Sequence, residues 1–132
     1  MAFGTDLPAS ARRHLEAANH LLTQHPDVAG YLFGITTEYA IKAMMLDAGL
    51  RPKTSEQKRE DPFFAHFPGL RTMLRDTQLG RQGKPLMDYI ENDAFMQNWS
   101  TDMRYSHGRE IRSNWIEAWA EQARQAVASI GT

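Results

Sequence analysis

The chain has 132 residues, no cysteine and a net charge of −1, so disulfides and thiolate metal sites are excluded and a single domain is expected. Hydrophobic residues at 42% and charged residues at 23% fit an ordinary globular protein rather than a disordered or fibrous one. The N-terminus carries no apolar core of the secretory kind, and Glu38, Lys42 and Asp47 interrupt the best candidate for a bilayer span, so the expectation is a cytoplasmic protein with no membrane partner.

Helical periodicity dominates and strand alternation is absent. Asp6 is placed to cap a first helix, with Pro8 tolerated in its first turn. Ala11, Leu15, Ala18 and Leu22 form its apolar stripe, and it is expected to stop before Pro26. Asp27 is read as the cap of a second helix running to about 48, with Gly49 as its stop. The apolar residues of that helix (Val28, Tyr31, Leu32, Ile35, Tyr39, Ile41, Met44, Met45) surround it, which places it at the centre of a bundle or against a second subunit.

Residues 51–62, RPKTSEQKREDP, are polar, charged and bracketed by prolines, and read as an exposed loop. Phe63, Phe64 and Phe67 then return the chain to the core, with His66 as a cap ahead of the next helix. That third helix starts at Pro68, passes through Leu70, Met73 and Leu74, and ends near Gly80. Residues 81–85 form a turn, and a fourth helix over 86–97 buries Met87, Ile90, Ala94 and Phe95. Residues 98–108 are an irregular hinge. The last helix presents Ile111, Trp115, Trp119, Ala123 and Val127 on one face and ends at Gly131. The fold class expected is all-α: an antiparallel up-and-down bundle of four to five helices, a single domain over 1–132, with one long charged loop at about 50–66.

Charge is distributed unevenly. Between Arg51 and Lys84, eight Lys/Arg face four acids, so this segment carries +4 and the −1 total leaves −5 elsewhere. A basic segment of that kind either steers an anionic partner or is simply a solvated face. No metal site is expected, because the first helix has no i, i+4 histidine pair among His14 and His20, and His25 and His66 lie apart from them. Gly80-Arg-Gln-Gly-Lys-Pro85 lacks the spacing of a phosphate loop, and no nucleophile–base–acid triad can be assigned. No cofactor is implied.

The residues that carry chemistry lie in two segments. Glu38 and Lys42 stand at i, i+4 in the middle of the apolar second helix, a structural polar pair that is either rim-exposed or buried with a further partner. For a buried Glu38 the expected partner is Arg104 or Tyr105, from the stretch WSTDMRYSHG at 99–108. Arg104, with its rigid fork of donors, suits a phosphate or a carboxylate equally. His107 is a residue type that can act as acid or base, or serves as a turn residue. Arg109 and Arg112 stand where a helix dipole disfavours cations, so a compensating anion is expected. With Arg104 they form a basic cluster suited to phosphate. Trp99 offers a ring for base stacking, and Trp115 and Trp119 are core.

The pattern AGYLFGITTEYAIKAMMLDAG at 29–49, followed by His66-Phe67-Pro68-Gly69-Leu70, Trp99 and Met103-Arg104-Tyr105-Ser106, resembles HEPN domains, the higher eukaryotes and prokaryotes nucleotide-binding domains. The resemblance covers about 12–127 and is sharpest at Glu38, Lys42 and Ala43 and at Arg104-Tyr105-Ser106. It implies a helical bundle that pairs as a homodimer, and a bacterial toxin–antitoxin or defence protein that binds RNA or nucleotides near the dimer interface. A cognate antitoxin or a nucleotidyltransferase is the partner it implies. Many members of the family are metal-independent ribonucleases whose signature is an arginine and a histidine separated by four to six residues. Here Arg104 and His107 are separated by two, so the catalytic signature is not intact.

The resemblance therefore assigns catalysis to Arg104 and His107, and phosphate or substrate binding to Arg109, Arg112 and Tyr105. The alternative is a non-catalytic module that dimerises or docks a partner through its second helix. A third reading is a small-molecule pocket between the second and last helices.

Overall fold

The computed structural model describes residues 4–53 and 60–132. Five α-helices carry the fold: α1 (Leu7–Leu21), α2 (Pro26–Asp47), α3 (Gly69–Arg75), α4 (Lys84–Ile90) and α5 (Ser113–Ala128). Short 3₁₀ turns at Pro62–Phe64, Arg81–Gly83, Thr101–Tyr105 and Gly108–Glu110 join them. The protein is an all-α helical bundle, and among the described residues no helix is long and apolar enough to cross a membrane. The segment 54–59, inside the expected charged loop, lies outside the described residues.

Helix α2 is the axis of the bundle. Its buried residues run around its circumference, from Ala29 and Phe33 to Ile41, Met44 and Met45. Only a helix covered on several sides tolerates that pattern, and α1, α4 and α5 all pack on it. A four-residue link makes α1 and α2 an antiparallel hairpin, with His14 edge-on to Tyr39 at 5.1 Å. Helix α5 runs alongside α2 in the same direction. Gly30 near the start of α2 faces Ile116 and Trp119, while Asp47 at its end accepts from the Gly131 amide beyond α5 at 3.1 Å. The α3–α4 segment returns the chain between them. Gly34 is required by close approach: a Cβ there would fall 1.9 Å from the buried Trp99 indole.

Several boundaries differ from those expected. Asp6 caps α1, accepting from the Ala9 amide at 3.0 Å. Helix α2 begins two residues earlier than expected, at Pro26, with His25 rather than Asp27 at its N-cap position. Proline lacks the amide hydrogen that the first turn leaves unsatisfied, so it opens the helix instead of blocking it. Asp27 then falls in the first turn, where its charge complements the dipole.

Helix α4 likewise incorporates Pro85 in its first turn and stops at Ile90, well short of Gln97. Side chains of α5 take over the polar groups that a longer helix would have used. Gln122 accepts from the Met96 amide at 2.9 Å and donates to the Ala94 carbonyl, while the Trp119 indole donates to Gln97. Met96 and Asn98 adopt left-handed backbone angles there.

Helix α3 ends at Arg75 rather than near Gly80. Helix α5 starts at Ser113, which leaves Ile111 outside it in extended conformation. The core face of α5 is Ile116, Trp119, Ala120, Ala123 and Ala126, with Trp115 and Val127 at its margin. Of the three phenylalanines expected to return the chain to the core, Phe67 is fully buried, Phe63 is half-buried and Phe64 is exposed.

Candidate functional site

The expected pairing of Glu38 with Arg104 or Tyr105 is not what the structure shows. Glu38 is 1% exposed, and both of its oxygens are engaged by the segment that returns from the charged loop. Oε2 meets His66 Nδ1 at 2.9 Å, and Oε1 accepts from the buried Phe67 amide at 2.7 Å. A buried carboxylate needs donors, and a backbone amide with a neighbouring imidazole supplies them without a guanidinium. His66 turns its side chain to Glu38, while its carbonyl accepts from Leu70 in the first turn of α3. The capping role expected for it is thus filled by its backbone.

Asp61, also 1% exposed, repeats the device. It accepts from the Lys53 amide at 2.7 Å and the Phe63 amide at 3.0 Å, closing the base of the loop. Lys42, 6% exposed, is the cation of this buried centre. Burial pushes its pKa below the usual lysine value, and the negative charges of Glu38 and Asp61 oppose that shift. No ion pair within 4 Å joins Lys42 to Glu38 among the described residues, so the expected pair is a longer-range one. It is the buried form, not the rim-exposed one. Among the described residues no group of three or more His, Asp or Glu is arranged to hold a metal ion.

Arg104 lies elsewhere. Its guanidinium sits over the Tyr31 ring at 5.9 Å and the Tyr105 ring at 5.2 Å, and its Nε donates to the Thr101 carbonyl at 3.1 Å. Tyr31 precedes Glu38 by seven residues, about 10 Å along the α2 axis. The single charged pocket expected from sequence is therefore two separate places on one helix.

The 3₁₀ turn at Thr101–Tyr105 presents Arg104, and a second at Gly108–Glu110 presents Arg109. Ser106 and His107 between them are extended, so Arg104 and His107 do not share a continuous helical face. His107 Nδ1 accepts from the Arg109 amide at 3.1 Å. That bond makes Nδ1 the acceptor, puts the proton of the neutral ring on Nε2, and gives the side chain a capping role.

Arg112 precedes α5 with its guanidinium over the Trp115 ring at 5.2 Å. Arg104, Arg109 and Arg112 are all exposed, and none has a carboxylate within 4 Å among the described residues. Tyr105 is 81% exposed, an unusual setting for so large a ring.

A cavity of about 230 Å³ opens beside Arg104, between the first turns of α2 and the segment ahead of α5. Asp27, Tyr31, Met103, Arg104, Ser106 and Ile111 line it. Trp99 is unavailable for base stacking, because it is buried and its ring stacks on Tyr31 at 5.8 Å.

Arg104, Tyr105, Arg109 and Arg112, close together in sequence, all lie on the surface, whereas the sequence led to the expectation that Arg104 or Tyr105 would meet the buried Glu38. Sequence reasoning missed the roles of His66, Asp61, Tyr31 and Asp27. The apolar run at 63–67 was the available signal for His66, since a chain segment pinned to the core must bring its neighbours with it. No protein-family model, no curated protein and no solved structure matches this chain.

Proposed function

We propose that the protein binds single-stranded RNA or nucleotides through the arginine-bearing segment ahead of α5, as a HEPN-like member of a bacterial toxin–antitoxin or defence system. The observation that carries this reading is the Arg104–Tyr105 group. An exposed guanidinium with no acidic partner among the described residues lies over two tyrosine rings, one of them 81% exposed. Arg109 and Arg112 add two more cations with no ion pair among the described residues, and Trp115 a second aromatic surface. Guanidinium groups take phosphate oxygens bidentately, and aromatic faces stack on bases; this combination is how single strands are held without sequence preference.

RNA cleavage is the catalytic extension of the same reading. Arg104 holds the phosphate, and His107, its Nδ1 accepting from the Arg109 amide, presents Nε2–H as a hydrogen-bond donor to a phosphodiester oxygen. A homodimer, and a cognate antitoxin or nucleotidyltransferase as partner, belong to this reading and rest on the resemblance alone.

The test is fluorescence anisotropy of a labelled single-stranded RNA at rising salt. Binding is expected to weaken with salt and to fall about tenfold in Arg104→Ala. Affinity unchanged in that variant removes Arg104 from the site.

The second reading is a non-catalytic partner-binding module. The capping role of His107 and its short separation from Arg104 favour it. Incubation with structured RNA separates the two: cleavage lost in His107→Ala supports the ribonuclease, and intact RNA together with a stable protein complex supports the module.

A further inference from the structure

The cavity beside Arg104 contains a second charged group, which phosphate binding does not use. Asp27 contributes its carboxylate to the lining from the first turn of α2, half-buried and with no hydrogen bond or ion pair to any described residue. The carboxylate is pressed against Gly108, where a Cβ would fall 2.4 Å from Oδ2. A side chain at 108 would have to displace it. Val28, Met103 and Ile111 supply apolar wall, and Arg104 stands on the rim. At about 230 Å³ the space is smaller than a usual drug-sized pocket and suits a single base.

Resting on the RNA-binding reading above, we propose that this cavity selects guanine, with the Asp27 carboxylate accepting from the base N1–H and N2–H while Arg104 takes the adjoining phosphate. An ionised carboxylate is an acceptor only. Guanine alone among the four bases presents two neighbouring donors on its Watson–Crick edge. Adenine and cytosine each set one amino group beside a ring acceptor, and uracil flanks its single N–H with two carbonyls. Each of these three leaves a lone pair facing the carboxylate. Two parallel charge-assisted bonds form only with guanine. A site built around an acceptor rejects ligands that leave it unpaired. The Watson–Crick edge is free only in a single strand, which is the form the aromatic surfaces suit.

The experiment uses the full chain and fluorescein-labelled octameric adenosine RNAs whose central base is adenine, guanine or hypoxanthine. The guanine octamer is expected to bind the wild type about tenfold more tightly than the all-adenine one. The hypoxanthine octamer, lacking the N2 amino group, falls between them. Asp27→Asn brings guanine and adenine within twofold of each other. Gly108→Ala, which forces the carboxylate out of position, does the same. Circular dichroism checks that both variants remain helical, and the three-base comparison on the wild type stands without them.

Equal affinity for guanine and adenine in the wild type overturns the proposal, as does an Asp27→Asn variant that loses both in proportion. Binding without base preference leaves the RNA-binding reading intact. Failure to bind any octamer removes that reading and this inference together.

Discussion

Around Glu38 and Asp61, charge is buried and satisfied, whereas two helical turns away on the Tyr31 side of α2 the charge of Arg104 is exposed and has no acidic partner among the described residues. The two acids spend their lone pairs on the amides of Lys53, Phe63 and Phe67 and on His66, and so fasten both ends of the charged loop to the core. The arginines ahead of α5 touch rings and a carbonyl but no carboxylate within 4 Å among the described residues. Satisfied charge in a core specifies geometry, because its removal strands a donor or an acceptor. Unsatisfied charge on a surface costs little and is available for a ligand. Stability and binding should therefore separate between the two regions.

Glu38→Ala is the sharpest way to break the comparison. It strands the buried Phe67 amide and removes a countercharge from Lys42, so a loss of about 3 kcal/mol is expected in urea unfolding. RNA affinity of the folded fraction should stay within about twofold of the wild type. A stability loss below about 1 kcal/mol would show that the buried acids are dispensable.

Replacing Arg104, Arg109 and Arg112 together by alanine should do the reverse. RNA affinity falls by about thirtyfold, and the slope of log K against log salt falls by about two. Thermal stability moves by only about 0.5 kcal/mol.

His66→Ala sits between these cases. The imidazole is 54% exposed, so solvent screening limits its contribution, and about 1 kcal/mol is expected from denaturant titration.

The smallest effect is a pH dependence from Lys42. Its folded pKa lies below the ordinary 10.5, so the unfolded chain holds the proton more tightly over the interval between the two values. Stability carried by this group therefore rises as pH climbs through the lowered folded pKa towards 10.5. Tyr39, whose pKa burial pushes above 10.0, acts in the opposite direction above that pH. The Lys42 contribution is accordingly read below 10, as a positive slope of unfolding free energy that Lys42→Met abolishes.

The contrast also shows what kinds of information a sequence holds. Helix α2 was legible because its apolar residues recur on every face, and Asp6, Gly49 and Gly131 mark ends by local backbone chemistry that needs no distant partner. The arginine cluster was legible because Arg104, Arg109 and Arg112 lie within nine residues. The end of α4 was not legible, since Gln122 and Trp119 from α5 decide it by binding the Met96 amide and the Ala94 and Gln97 carbonyls. The partner of Glu38 was not legible either. A guanidinium 66 residues downstream and an imidazole 28 residues downstream are equally good chemistry on paper, and only the burial of Phe67 brings the imidazole to the carboxylate.

By itself the sequence determined the all-α class, the order of the helices and the place of an acid in the middle of the apolar α2, because periodicity and capping act over a few residues and are written locally. The tertiary structure alone decided which donors meet Glu38, that Trp99 is buried against Gly34, and that Asp27 and Arg104 border one cavity. Those outcomes depend on how five helices compete to bury their apolar surface, and that competition is settled by all of them at once.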